Sequence, residues 1–162
     1  MGVVKTASTL PQALVLLSHS VEAMEKAFSL ESAPSLAGIR VLLVEDSEDT
    51  REAFVRLLTL EGATVAAAEN AREAAELAVG AEFDVLLTDL GLPDISGDAL
   101  ITTVIATARR RPKVVVVTGY GEPHVSRARE AGADVVLVKP VMWHRLIEHL
   151  AGPAPAAVPA AA

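Results

Sequence analysis

Val41-Leu42-Leu43-Val44-Glu45-Asp46 is the stretch that decides the fold: four aliphatic residues in a row, then two acids. A short, unbroken apolar run marks a strand covered on both faces, as in a parallel sheet, where alternation of polar and apolar residues is lost. The run recurs at 64–67, 85–87, 114–117 and 135–138, so five strands are expected. Between them, 49–60, 71–79, 98–109 and 124–131 are long enough for crossover helices, and 141–150 closes the series. Repeated strand–helix units predict an α/β fold, a doubly wound five-stranded parallel sheet with helices on both faces. Gly62, Gly80 and Gly132 stand just past helical segments, where a left-handed cap is favoured.

Outside this zone the composition changes. Leu10, Leu14, Leu17, Val21, Met24 and Phe28 lie three or four residues apart, one apolar stripe on an amphipathic helix over about 10–29. Ser32-Ala33-Pro34-Ser35 reads as a linker, so residues 1–38 form an N-terminal extension and 39–151 the folded domain. Residues 152–162 are an Ala/Pro tail, expected to be disordered because its prolines interrupt any helix.

The whole chain has 162 residues, 51% of them hydrophobic but only 3% aromatic, so its core must be aliphatic. The net charge of −7 argues against direct nucleic-acid or anionic-membrane binding, which needs clustered positive charge. The absence of cysteine rules out disulfides, thiolate metal sites and a Cys nucleophile. No stretch approaches the ~18 apolar residues of a membrane helix. The run Ala13-Leu14-Val15-Leu16-Leu17 after Lys5 is a poor secretion signal, interrupted by Pro11 and Gln12 and lacking a cleavage site, so a cytoplasmic protein is expected.

Ligands of open α/β sheets sit at the carboxyl ends of the strands. The first strand runs into Glu45 and Asp46, the third into Asp89, the fourth into Thr118 and the fifth into Lys139-Pro140. Singly, each has an ordinary reading. Acids favour a helix N-terminus, Asp89 suits a turn before Gly91, and Lys139 suits a surface. Together they bring three carboxylates, a hydroxyl and an ammonium to one rim. A divalent cation holds such acids together, and Mg²⁺ suits one or two carboxylates, a carbonyl and waters. An Asp beside it is a nucleophile for phosphoryl groups, whose oxygens the metal, Lys139 and Thr118 would neutralise.

Glu45-Asp46-Ser47, Asp89-Leu90-Gly91-Leu92-Pro93-Asp94-Ile95-Ser96-Gly97, Val117-Thr118-Gly119 and Val138-Lys139-Pro140 resemble the receiver domain of two-component response regulators. The resemblance implies a flavodoxin-like strand order, 2-1-3-4-5. It implies that Asp89 accepts a phosphoryl group from a histidine kinase or histidine phosphotransfer protein. Asp46 and Asp89 would bind Mg²⁺ directly, Glu45 partly through water, and the Gly91 carbonyl would complete the protein ligands. Thr118 and Lys139 would contact the phosphoryl group, with a cis peptide bond before Pro140. The half from Thr118 to Leu150 would bind a downstream protein target.

One position departs from the family pattern. The residue three before the lysine, commonly Tyr or Phe in receivers, is Val136, which puts the family's aromatic switch in doubt. Tyr120, two residues after Thr118, occupies a position that in the family borders the phosphoryl group, and it is expected to shield the acyl phosphate from water. His19, His124, His144 and His149 lack metal-ligand spacing, while Trp143, Leu146, Ile147 and Leu150 share a helical face suited to the core. Arg109-Arg110-Arg111 before Pro112 reads as a cationic helix C-terminus.

Other functions fit less well. A haloacid-dehalogenase-type phosphatase needs a second acid two residues after its nucleophile, where Gly91 stands. Flavin binding needs a hydroxyl-rich phosphate loop, and Glu45 and Asp46 would repel the phosphate. A receiver fold acting without phosphorylation, as an interaction module, is the alternative that Val136 favours and the intact acid set opposes. No separate output enzyme follows in the sequence, so a stand-alone receiver and the receiver of a hybrid histidine kinase both fit. In the first case the stripe over about 10–29 wants a partner such as a second copy, giving a homodimer.

Overall fold

The computed structural model describes residues 35–153, within the unit Pro34–Ala162. The amphipathic helix expected over about 10–29 and nearly all of the Ala/Pro tail lie outside the described residues. Five strands are present: β1 (Arg40–Val44), β2 (Thr64–Ala68), β3 (Val85–Thr88), β4 (Lys113–Thr118) and β5 (Val135–Val138). They alternate with α1 (Glu48–Leu60), α2 (Ala71–Ala78), α3 (Gly97–Thr107), α4 (His124–Ala131) and α5 (Trp143–Ala151). All strand pairs are parallel, in the order β2-β1-β3-β4-β5, as the resemblance implies.

The period of two along each strand assigns side chains to two cores. Leu42, Val44, Leu86, Val114 and Val116 pack with Ala71, Ala74 and Ala78 of α2, Leu100, Ile101 and Val104 of α3 and Ala128 of α4. Val41, Leu43, Val85, Leu87, Val115 and Val117 face Leu58 of α1 and Leu146, Ile147 and Leu150 of α5. Both faces of the sheet are therefore covered, which is why β1, β3 and β4 read as unbroken apolar runs. The edge strands β2 and β5 are only partly buried along most of their length.

Helix ends follow local chemistry. Ser47 caps α1 by accepting from the Thr50 N–H at 3.4 Å. Asn70 caps α2 through the Glu73 N–H at 2.9 Å, while the Glu73 carboxylate returns to the Glu69 N–H at 2.8 Å. Gly62, Gly80 and Gly132 have positive φ, as their places after helices require.

Two boundaries differ from expectation by two residues, the others by one at most. α3 stops at Thr107, so the arginines do not cap it: Arg111 pairs with both oxygens of Asp134, and Arg110 pairs with Asp84. Their role is to tie strand beginnings together at the pole away from the acidic rim. α5 begins at Trp143 rather than at 141, because Met142 is still extended and precedes the first helical turn. Trp143 is half-buried, tilted against Phe54 with ring centroids 6.1 Å apart, and its indole N–H donates to Glu61 at 3.1 Å. No helix among the described residues is long and apolar enough to cross a membrane.

Candidate functional site

Parallel register carries the expected residues to one rim. Glu45 and Asp46 continue β1, and the Asp89 N–H, just past β3, donates to Val44 at 3.3 Å. Thr118 ends β4 and is fully buried. The Lys139 N–H donates to the Thr118 carbonyl at 2.8 Å, fixing the lysine beside the threonine, and the Lys139–Pro140 bond is cis. A second cis bond, Glu122–Pro123, was not anticipated.

Asp89 is the centre of the group. Its Oδ2 accepts from Lys139 Nζ at 2.9 Å, and its Oδ1 accepts from the backbone N–H groups of Leu90 and Gly91. The Thr88 hydroxyl donates to the Asp89 carbonyl at 2.8 Å, bracing the same peptide. Burial works to raise the Asp89 pKa, but the Lys139 ammonium and the two backbone donors outweigh it and hold the carboxyl below its ordinary value. Lys139 is opposed by its own burial, yet Asp89, followed by Glu45 and Asp46, holds its pKa above the usual range.

Glu45 behaves in the opposite way. It is only 7% exposed, and burial raises its pKa even though its carboxylate accepts from the Ser47 N–H at 3.1 Å; Asp46 and Asp89 push in the same direction as burial. A carboxyl with a raised folded-state pKa costs stability as pH rises through that value. Glu45→Gln keeps an acceptor for Ser47 and removes the charge. It is therefore expected to raise stability by about 1 kcal/mol at neutral pH, with the gain shrinking under acid conditions. Thermal unfolding at two pH values checks this, and a gain independent of pH would count against it.

The three carboxylates do not form a ready-made cation cage: among the described residues no group of three or more His, Asp or Glu side chains is so arranged. Asp89 is engaged instead by Lys139 and by the Leu90 and Gly91 N–H groups. The donor set nevertheless suits a hard cation, since Glu45 resists ionisation beside its acidic neighbours and a divalent ion would relieve that cost. Glu45, Asp46, Asp89 and the Gly91 carbonyl are the groups available for it.

Sequence reading missed two members of the site. Arg51, one turn into α1, donates to the Glu45 carbonyl at 2.8 Å and the Asp46 carbonyl at 3.4 Å, holding the loop that carries both acids. Its signal was an arginine in the first turns of a helix, where the dipole disfavours cations. The second is Asp94, whose carboxylate accepts from the Ala71 and Arg72 N–H groups at 3.0 and 2.9 Å, pinning the loop after Asp89 to the start of α2. Val136 lies in β5, partly buried against the core, and Tyr120 is half exposed above Gly91.

Comparison with known proteins agrees with this geometry. The response regulator receiver domain profile matches residues 41–151. A cyclic di-GMP phosphodiesterase of Thermotoga maritima is 41% identical over 104 residues, which are 62% of this chain and 27% of that protein. The chain spans about half or less of the length of the first curated relatives it matches. A Burkholderia pseudomallei response regulator, solved with a phosphorylated aspartic acid, calcium ion and citrate, is 29% identical with a TM-score of 0.64, covering 69% of this chain and 66% of that one. The Thermotoga maritima response regulator TrrA, solved with Mg²⁺-BeF, is 27% identical with a TM-score of 0.61, covering 68% of this chain and 94% of that one. With five parallel strands in the order 2-1-3-4-5 and the profile match across the whole sheet, this chain belongs to the response regulator receiver domains of two-component systems.

Proposed function

We propose that residues 39–151 act as a phosphoacceptor receiver, in which Asp89 takes a phosphoryl group from a phosphohistidine donor and the modified domain changes its affinity for a protein target. The observation that carries this reading is the Asp89 carboxylate, held ionised at the end of a central strand by Lys139 at 2.9 Å, with Thr118 buried on the next strand. A carboxylate oxygen attacks phosphorus, the donor's N–P bond breaks, and the electron pair leaves with the imidazole. Lys139 neutralises charge on the transferring oxygens and Thr118 offers its hydroxyl, contributions that supply most of what a loose phosphoryl transition state needs.

Mg²⁺ bound by Glu45, Asp46, Asp89 and the Gly91 carbonyl would add charge neutralisation on the same oxygens. The phosphorylated aspartate and calcium of the Burkholderia regulator, and the Mg²⁺-BeF of TrrA, support both parts of the reading. A histidine kinase or histidine phosphotransfer protein is the natural donor, a cytoplasmic setting goes with it, and the half from Thr118 to Leu150 is the side offered to a target.

The test is intact-protein mass after incubation with acetyl phosphate, with Mg²⁺ and with a chelator. A gain of one phosphoryl group with the metal alone, mapped to the peptide containing Asp89, is the expected result. No gain from acetyl phosphate or from phosphohistidine donors would favour a phosphorylation-independent interaction module instead.

A further inference from the structure

We propose that His124 is a positioning residue for the lifetime of the acyl phosphate: it props the Tyr120 ring over Gly91, and the propped ring bars water from the site. The inference rests on the reading of Asp89 as the phosphoryl acceptor.

Tyr120 is 49% exposed, yet it is held on three sides. Its backbone N–H donates to the buried Thr118 hydroxyl at 3.2 Å, which fixes where the side chain begins. One side of the ring lies against Gly91, so closely that a Cβ there would meet ring carbon Cε2 at 3.1 Å and the phenolic oxygen at 3.4 Å. The ring also stacks on the His124 imidazole, centroids 4.8 Å apart and planes 21° from parallel. Gly91 is in turn bonded to the Asp89 carboxylate through its N–H at 3.1 Å. The tyrosine thus covers the peptide next to the reacting oxygens.

The prop is firmly seated. His124 opens α4, its N–H donates to the Gly121 carbonyl at 3.0 Å, and the Glu122 carboxylate accepts from both the N–H and the hydroxyl of Ser126. The ring and the imidazole both line an open cleft of about 330 Å³ that runs along Leu92, Ile95 and Arg127, and without the imidazole the ring is free to turn further into it. Rotation into that cleft would uncover Gly91. Hydrolysis needs a water whose oxygen bonds to phosphorus while the P–Oδ bond breaks, returning the electron pair to the Asp89 carboxylate and the water's proton to the phosphate. A ring held over Gly91, whose N–H is bonded to that carboxylate, limits that approach.

Two readouts test the proposal on the full chain. Tyr120 is the only tyrosine, so its ring resonances are identifiable by proton NMR without phosphorylation. His124→Ala should shift them and His124→Phe should leave the ring ordered, and an unshifted His124→Ala spectrum would overturn the prop. The second readout follows the phosphorylated fraction by intact mass after acetyl phosphate and Mg²⁺ are removed. His124→Ala should shorten the half-life about two- to ten-fold, the change in rate that an aromatic pair's energy represents. His124→Phe should restore it, and in a Tyr120→Ala background His124→Ala should add nothing. An unchanged half-life, or an effect that persists without Tyr120, would overturn the role of His124 alone. Failure of the unsubstituted chain to take up phosphate would instead overturn the reading of Asp89.

Discussion

Asp89→Asn is expected to abolish phosphoryl uptake altogether while leaving the fold within ~1 kcal/mol of the parent protein, the range of a partly exposed ion pair. The two consequences separate because different atoms carry them. The amide oxygen still accepts from the Leu90 and Gly91 N–H groups, so the loop after β3 keeps its shape. The second position becomes an NH₂ that faces the Lys139 ammonium, where Oδ2 accepted at 2.9 Å, and neither group can accept from the other. No anionic oxygen remains to attack phosphorus.

The pH dependence of stability should change with a defined sign. Asp89 has a lowered pKa in the folded chain, so its contribution is present above the ordinary carboxylate range and is lost as pH falls through the folded value. Lys139 has a raised pKa, so its contribution is present at neutral pH and is lost as pH rises through that raised value. With the carboxylate gone both contributions shrink, so the variant should show a flatter acid limb and a shallower alkaline decline in thermal midpoint. Phosphoryl uptake by Asp89→Asn at the parent rate would place the acceptor elsewhere, with Asp46 and Glu45 the next carboxylates to examine.

The acid rim was legible because a parallel sheet delivers whatever follows each strand to one edge. Reading Glu45, Asp46, Asp89, Thr118 and Lys139 off the ends of four apolar runs required only the strand positions and their common direction. What stayed hidden were contacts between residues far apart in sequence. The end of α3 was placed too late because Arg110 and Arg111 are drawn to Asp84 and Asp134, each more than twenty positions away. Asp94 stands in the sequence only as one member of the Asp89–Gly97 motif, and nothing there shows its two bonds to the start of α2. Likewise Gly91, two residues after Asp89, says nothing of the tyrosine ring that lies on it. The acids were expected to converge, but their partner was expected to be a metal. In the fold Asp89 is met first by Lys139, while Glu45 is the carboxyl whose ionisation burial opposes.

Gly97→Ala is expected to damage both stability and chemistry, although Gly97 bears no functional group. It is the first residue of α3, and a Cβ there would stand 2.7 Å from the Leu90 Cα and 3.0 Å from the Asp89 carbonyl oxygen. Both are backbone atoms, so no rotamer change relieves the overlap. Either α3 backs away or the Asp89–Leu90 peptide moves. The helix is anchored by Leu100, Ile101 and Val104 in the core and can retreat only by opening that packing, at a cost of about 1–3 kcal/mol. If the peptide moves instead, Asp89 shifts relative to Lys139 and Thr118, and a displacement of about 1 Å at a reacting group can cost ~100-fold in rate. The expected result is a lowered thermal midpoint together with slow phosphoryl uptake. Gly121→Ala is the control: a Cβ there meets nothing within 4 Å, and its effect on stability should stay within ~0.5 kcal/mol. If Gly97→Ala proved as harmless as Gly121→Ala in both assays, α3 would not be what seats the phosphoacceptor loop, and the position of Asp89 would have to be credited to Thr88 and the β3 ladder alone.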